Sequence, residues 1–144
     1  MQKHSFLLEA KWPGGRNSVG TIDAGNLKTE VSIPPEMDGP GVGTNPDEML
    51  LGAAATCYII TLAAMLERAS IPVKTLTMQS EGIVEVENGV ITYKEIIHRP
   101  TLQLVEKADE KKAAVLAKKA ESSCMISRAL AGNVVIGLEP QIYS

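Results

Sequence analysis

The two cysteines of this 144-residue sequence, Cys57 and Cys124, are its first candidates for chemistry. A cysteine is a nucleophile only as its thiolate, which needs a nearby positive charge or a helix N-terminus. Cys57 lies deep in an apolar segment, beyond the reach of a helix dipole, where burial alone would raise its pKa. Taken alone, it is interpreted as a small apolar core residue. Cys124 follows two serines that can cap a helix, so a first-turn position that favours a thiolate is predicted, with a merely buried cysteine as the alternative.

A reactive Cys57 would need a positive charge from another segment, and Arg16 is the candidate. Arg16 stands in the turn-like segment Pro-Gly-Gly-Arg, where an arginine is otherwise typical of a solvent-facing hairpin. Two carboxylates, Asp47 and Glu48, open the apolar segment. On a straight helix Asp47 lies about 15 Å from Cys57 along the axis, and Glu48 falls on roughly the opposite face. A carboxylate of this pair that serves Cys57 would therefore have to come from a second subunit.

The first elements that must position these residues are strands and a loop. Residues 5–11 and 18–33 alternate apolar with polar side chains, which predicts antiparallel strands interrupted by glycine and proline turns. The segment "PPEMDGPGVGTNP", residues 34–46, is too rich in proline and glycine to continue a strand or a helix. A loop is predicted there, and long loops inside compact domains are often functional.

The apolar segment itself is predicted to be a helix that starts at Pro46 and ends at Arg68. Thr44 or Asn45 can cap it, and the acidic residues of its first turn suit the helix dipole. Because the segment is apolar on every side, we expect a central helix buried all round, enclosed by a sheet and by other helices or a second subunit. A membrane span is the alternative, since the length touches its lower limit.

The rest of the chain predicts a hairpin, two helices and a last strand. Asn88-Gly89 joins two alternating segments, as in a type I′ turn. Helices are predicted from Asp109 to about Ser122 and over the short segment ending at Gly132, followed by one strand over 133–143. Without regular βαβ alternation this predicts an α+β fold, in a single domain over 1–144.

Composition and motifs exclude several classes of partner and site. A net charge of -3 and a pI near 5.4 argue against nucleic acid and anionic membrane surfaces as partners. The first residues show no secretory signal pattern, so a cytoplasmic location is expected. Neither the cysteines nor the two histidines have a metal-ligand spacing, and His98 is expected at a surface or strand edge. No G-x-S-x-G elbow or phosphate-binding glycine loop occurs.

Three motifs, in order along nearly the whole chain, resemble those of the OsmC/Ohr family of osmotically inducible and organic-hydroperoxide-resistance thiol peroxidases. The motifs are Gly14-Gly15-Arg16, "DGPGVGTNPDEMLLGAAATC" ending on Cys57, and Cys124-Met125-Ile126-Ser127-Arg128-Ala129. Each is weak alone, and together they make a specific match. Two positions depart from the family pattern: Asp47 stands where a glutamate is usual, with Glu48 next to it, and Met125 replaces a common proline.

The resemblance implies an intertwined α+β homodimer with antiparallel sheets around two central helices, and active sites at the subunit interface. It implies a peroxidatic role for Cys57, a resolving role for Cys124, and an Arg16 that stabilises the thiolate beside a carboxylate from Asp47 or Glu48. No bound cofactor is implied. The implied substrates are alkyl or lipid hydroperoxides, and the implied reductant is an external dithiol, such as a lipoylated protein. The alternative function is a dimeric binding or redox-sensing relative without peroxidase turnover.

Overall fold

The computed structural model describes residues 1–144, in which strands and helices follow one another without regular alternation. The chain divides into two compact units, residues 1–49 and residues 50–144. The predicted α+β class is confirmed by this element order. The assignment of the whole chain to one domain stays a prediction.

Residues 1–49 contain a small antiparallel sheet in the order β1-β2-β3. Its strands are β1 (Glu9–Lys11), β2 (Gly20–Ala24) and β3 (Leu27–Val31). The alternating segments of the sequence therefore do form strands, but shorter ones than predicted. Gly25 breaks the second segment, because the chain turns there at a φ of 63°, which glycine adopts without strain.

The predicted loop after β3 is held against that strand. The Thr44 N–H donates to the carbonyl of Glu30 at 2.9 Å, and the Ser32 N–H donates to the carbonyl of Thr44 at 3.1 Å. Gly43 lies between these contacts at a φ of 70°, so close to the Glu30 backbone that a β-carbon would have no room. These bonds fix the point where the following helix begins.

Residues 50–144 contain a four-stranded sheet built on a long hairpin. Its strands are β4 (Val73–Glu87), β5 (Val90–Leu104), β6 (Val135–Leu138) and β7 (Gln141–Tyr143). β4 and β5 pair antiparallel, and the predicted Asn88-Gly89 turn is confirmed by positive φ values of 52° and 77°.

The C-terminal part of the sheet differs from the prediction in two ways. The single strand expected over 133–143 is two strands, β6 and β7, and both run parallel to β5, so the sheet is not purely antiparallel. The break lies at Glu139 and Pro140. Proline has no N–H to donate to a ladder, and the Glu139 N–H instead donates to the carbonyl of His98 at 2.9 Å.

The apolar segment forms α1 (Pro46–Arg68), with both predicted ends. Asn45 caps it, because its Oδ1 accepts a hydrogen bond from the Glu48 N–H at 2.9 Å. One face of the helix is buried, at the four-residue spacing Ala54, Tyr58, Leu62 and Leu66. The other face is exposed in this single chain, where Ile60 retains 67% of its surface. Within one chain the helix is therefore covered on one face, and the expected cover of the other face by a second subunit stays a prediction.

The same helix is the one element long and apolar enough to cross a membrane, judged by length and composition. Its buried face belongs to a hydrophobic core shared with β5 and with α2 (Glu110–Ser123). α2 contributes Ala113, Ala117 and Ala120 to that core and turns its lysines outward. The last helix, α3 (Met125–Leu130), follows directly, and Gly132 ends this region at a φ of 81°, as predicted.

Candidate active site: a hydrogen-bonded pair of thiols

Cys57 lies in the middle of α1, on the side that faces α3. The structure leaves it half-buried, so the sulfur is reachable from solvent. Its neighbours on the helix include Thr61, whose hydroxyl donates to the backbone carbonyl of Cys57 at 2.7 Å. The apolar helix therefore holds the thiol at the edge of the core rather than inside it.

Cys124 occupies the residue between α2 and α3. Its φ of -60° and ψ of 127° end one helix and cap the next, and its carbonyl accepts the Arg128 N–H at 3.0 Å. The side chain is completely buried. Neither cysteine forms a disulfide, and the Cys124 thiol lies beside Cys57 as a hydrogen-bond donor that lowers the pKa of Cys57. The fold thus brings the only two cysteines of the chain into contact.

The environment of Cys57 favours its thiolate. Burial by itself raises the pKa of Cys57, but hydrogen bonds outweigh it, and the net pKa is lowered. The Cys124 thiol is the largest of these donors, followed by the backbone N–H groups of Ile126 and Met125. The first N–H groups of a helix have no acceptor within that helix, so the start of α3 is free to serve this sulfur.

The environment of Cys124 has the opposite effect. Burial and the hydrogen bond donated to Cys57 raise the pKa of Cys124, against opposing contributions from Ser127 and Ile126. For Cys124 the structure therefore favours the alternative of a buried cysteine, and Cys57 has hydrogen-bond donors nearby that the sequence did not indicate. The physical reason is that the start of α3 and the Cys124 thiol itself both act on Cys57. The pair is therefore asymmetric: Cys57 has a lowered pKa and Cys124 a raised one.

Arg16 lies in the 1–49 unit, where its guanidinium is exposed. It donates to the carbonyl of Met37 at 2.8 Å and to that of Asp38 at 3.1 Å, and also to the side-chain oxygen of Asn17 at 2.8 Å. Two carbonyls of the glycine- and proline-rich loop thus orient this arginine. Its pairing with the Cys57 thiolate stays a prediction.

The two acidic residues lie on the first turn of α1. The carboxylate of Glu48 accepts a hydrogen bond from the Thr44 hydroxyl at 2.8 Å, while its N–H is bound by the Asn45 cap. Asp47 is half-buried. Since α1 is continuous from Pro46 to Arg68, the sequence argument that separates Asp47 from Cys57 by about 15 Å along the helix still holds.

The sequence did not indicate the burial of two polar residues, His98 and Ser127. His98, expected at a surface or strand edge, is fully buried; its Nδ1 is 2.7 Å from the Ser80 hydroxyl, and its ring stacks on Tyr58 with centroids 5.1 Å apart. Burial lowers the pKa of His98. Ser127, three residues after Cys124, is also buried. The alternation of β5 could have indicated the inward position of His98, whereas nothing local indicated that of Ser127.

The chain has no group of three or more histidine, cysteine or acidic side chains arranged to hold a metal ion. The polar groups that meet at the thiols are instead backbone N–H groups, a threonine and a serine. These can stabilise an anionic sulfur but offer no ligand set for a cation. The chemistry available to this arrangement is that of a nucleophilic thiolate with a second thiol in reach.

Comparison with known proteins shows the family to which this chain belongs. The protein YmaD of Bacillus subtilis, described as uncharacterized, is 63% identical over 99% of this chain and 97% of its own length. The organic hydroperoxide resistance protein of Xanthomonas axonopodis is 26% identical over 95% of both chains. A crystal structure titled as an organic hydroperoxide resistance protein OsmC from Legionella pneumophila has a TM-score of 0.74 and 26% identity, covering 96% of this chain and 99% of that one. The family model described as OsmC-like protein matches residues 39–139, and the chain therefore belongs to the OsmC-like family.

Proposed function

We propose that this protein is a thiol peroxidase that reduces organic hydroperoxides, with Cys57 as the peroxidatic residue and Cys124 as the resolving one. The observation that carries this proposal is the hydrogen-bonded thiol pair, in which the half-buried sulfur has a lowered pKa and the fully buried one a raised pKa. A peroxide arriving from solvent can reach Cys57, and Cys57 is the sulfur that favours the reactive charge state.

The reaction balances with the two thiols and one external dithiol. The Cys57 thiolate attacks a peroxide oxygen, the O–O bond breaks, and the leaving alkoxide takes a proton to become an alcohol. The resulting sulfenic acid reacts with Cys124, forming a disulfide and releasing water. An external dithiol, such as a lipoyl group, then reduces the disulfide and is itself oxidised. Over-oxidation is limited because Cys124 is already in contact with Cys57.

Apolar surface beside Cys57 supports an alkyl or lipid hydroperoxide as the substrate. Ala53 and Ala64, four residues before and seven after Cys57, are exposed, and Ile60 is exposed on the next turn. Side chains one or two turns apart lie on the same face of a helix. A hydrocarbon tail gains more from such a surface than hydrogen peroxide does.

The active enzyme is proposed to be a homodimer that packs the exposed face of α1 against its counterpart. In that arrangement Arg16 stabilises the Cys57 thiolate, since a guanidinium can hold a thiolate and a carboxylate together. Asp47 or Glu48, the two acidic residues in the first turn of α1, is the proposed carboxylate partner of Arg16. Helix geometry requires this carboxylate to come from the other subunit.

Peroxide consumption by thiol variants tests the proposal. Reduced protein is given cumene hydroperoxide with dihydrolipoamide, and alcohol formation is followed for wild type, Cys57→Ser and Cys124→Ser. We expect sustained turnover by wild type, none by Cys57→Ser, and one turnover followed by over-oxidation of Cys57 for Cys124→Ser. Equal consumption by wild type and Cys57→Ser would refute the proposal. A single oxidation without turnover in wild type would favour the redox-sensing alternative.

A further inference from the structure

The hydroxyl of Ser127 is a buried polar group that the peroxidase scheme leaves without a task. Ser127 is 4% exposed, and its oxygen has no hydrogen-bond partner. Buried hydroxyls in folded proteins nearly always have such a partner, because leaving one unpaired costs free energy. The position therefore calls for an explanation beyond packing.

The Cys124 sulfur is the nearby group to which this hydroxyl could donate a hydrogen bond. Ser127 lies three residues after Cys124, on the first turn of α3, and both its N–H and its side chain favour the charged form of Cys124. The N–H of Ile126 lowers the pKa of both cysteines. Ser127 lowers that of Cys124, and the N–H of Met125 lowers that of Cys57. The two thiols thus share one donor, Ile126, and each has at least one donor of its own.

The charge on Cys57 decides when the Ser127 donors matter. In the reduced pair burial and the hydrogen bond to Cys57 raise the pKa of Cys124, which disfavours the nucleophilic form of this thiol. Oxidation converts the Cys57 thiolate to a neutral sulfenic acid, and the negative charge that held the proton is gone. Burial still opposes a Cys124 thiolate, and the donors that oppose burial are those of Ser127 and Ile126.

We propose that Ser127 is a positioning residue for the resolving step: it donates to the Cys124 sulfur and stabilises its thiolate once Cys57 has been oxidised. This inference rests on the proposed roles of the two cysteines. The Cys124 thiolate attacks the Cys57 sulfur, the S–O bond breaks, and the departing hydroxide takes the proton that Cys124 released, giving water. No reagent outside the pair is needed. The first oxidation of Cys57 does not require Ser127.

The step can be measured without a peroxide by using an aromatic disulfide, 5,5′-dithiobis(2-nitrobenzoate). Cys57 attacks the reagent and releases one nitrothiobenzoate, and Cys124 then attacks the mixed disulfide and releases a second. For Ser127→Ala we expect an unchanged first phase and a second phase slowed at least tenfold at neutral pH, with its pH profile moved to higher pH. Ser123→Ala, the same change at the exposed residue before Cys124, should alter neither phase.

Two variants of Ser127 with the same shape separate loss of the hydroxyl from a purely structural effect. Ser127→Thr keeps a hydroxyl, whereas Ser127→Val has the same shape without one, so the second phase should be fast in the first variant and slow in the second. Equal second phases in Thr and Val variants, or in wild type and Ser127→Ala, would overturn the inference. Failure of the proposed function would be recognised separately, as wild-type protein that releases both chromophores but does not react with cumene hydroperoxide.

Discussion

Replacing Met125 by proline removes one hydrogen-bond donor from the Cys57 thiolate without disturbing the surrounding backbone. The Met125 N–H is one of the groups that lower the pKa of Cys57. Cys124 has the extended conformation that a residue before proline prefers, with φ -60° and ψ 127°. Met125 is the first residue of α3, where proline is well tolerated, and its side chain is 63% exposed. The variant should therefore fold normally.

The expected effect follows from the strength of one hydrogen bond. A net contribution of about 1 kcal/mol is appropriate for a donor to a half-buried sulfur, less than for a fully buried charge. Loss of this contribution lowers the ratio of thiolate to thiol about fivefold at a pH where both forms are present. Met125→Ala keeps the N–H and removes a comparable exposed side chain, so its ratio should match that of wild type.

Alkylation by iodoacetamide between pH 5 and 9 measures this ratio, and peptide mass spectrometry locates the adduct on Cys57. Because Cys124 is completely buried, it does not compete for the reagent. The Met125→Pro profile should move to higher pH, with about fivefold slower alkylation on its acidic side and the same plateau. Coincident profiles for Met125→Pro and wild type would refute the assigned role of this N–H. So would an equal displacement in Met125→Ala.

Three further predictions concern Arg16, the exposed face of α1 and His98. Arg16→Gln should nearly abolish turnover of cumene hydroperoxide while leaving the thermal midpoint of unfolding within a few degrees of wild type, because its side chain is exposed. Ile60→Glu should shift the protein from dimer to monomer in sedimentation velocity and reduce turnover in parallel, because it places a charge on the proposed dimer surface. Burial lowers the pKa of His98, so below pH about 6.5 the unfolded chain binds a proton that the folded chain does not. The stability contributed by the neutral ring is therefore complete above that pH and falls as the pH drops. Denaturant midpoints measured from pH 7.5 to 5 should fall more steeply for wild type than for His98→Gln.

Matched controls separate these effects from general damage. Arg68→Gln changes an exposed arginine at the end of α1, far along the helix from Cys57, and should retain turnover. Val115→Glu places the same charge on an equally exposed apolar residue of α2 and should leave the dimer intact. Turnover by Arg16→Gln at the wild-type rate, a dimer unaffected by Ile60→Glu, or parallel pH profiles for the two His98 chains would each contradict the corresponding prediction.

The parts of the fold that were predictable from sequence are those governed by local signals. The cap Asn45, the proline after it and the terminal Glu67-Arg68 gave both ends of α1, and Asn88-Gly89 gave the hairpin. These signals act within a few residues and do not depend on the rest of the chain. The break at Pro140 was also visible, and it was missed because the flanking residues alternate as one strand would.

The electrostatics of the thiols could not be predicted because they depend on contacts between distant segments. Position along α1 correctly excluded the dipole of that helix as a source of activation for Cys57. It carried no information about α3, whose first N–H groups serve Cys57 although they adjoin Cys124. The likeness to a family singles out the two cysteines and implies an order of action for them, but the donor set of each sulfur follows only from the packing. Burial of His98 likewise depends on which face of β5 meets α1.

The state of the two sulfurs after reaction with one equivalent of cumene hydroperoxide tests the central claim most directly. Remaining thiols are alkylated, and the intact protein and its peptides are weighed without reduction. The account predicts a monomeric mass lighter by two hydrogens, with a disulfide joining the Cys57 and Cys124 peptides and no alkylated cysteine. Protein that retains two alkylatable thiols, or that oxidises Cys57 without ever bridging it to Cys124, would contradict the account.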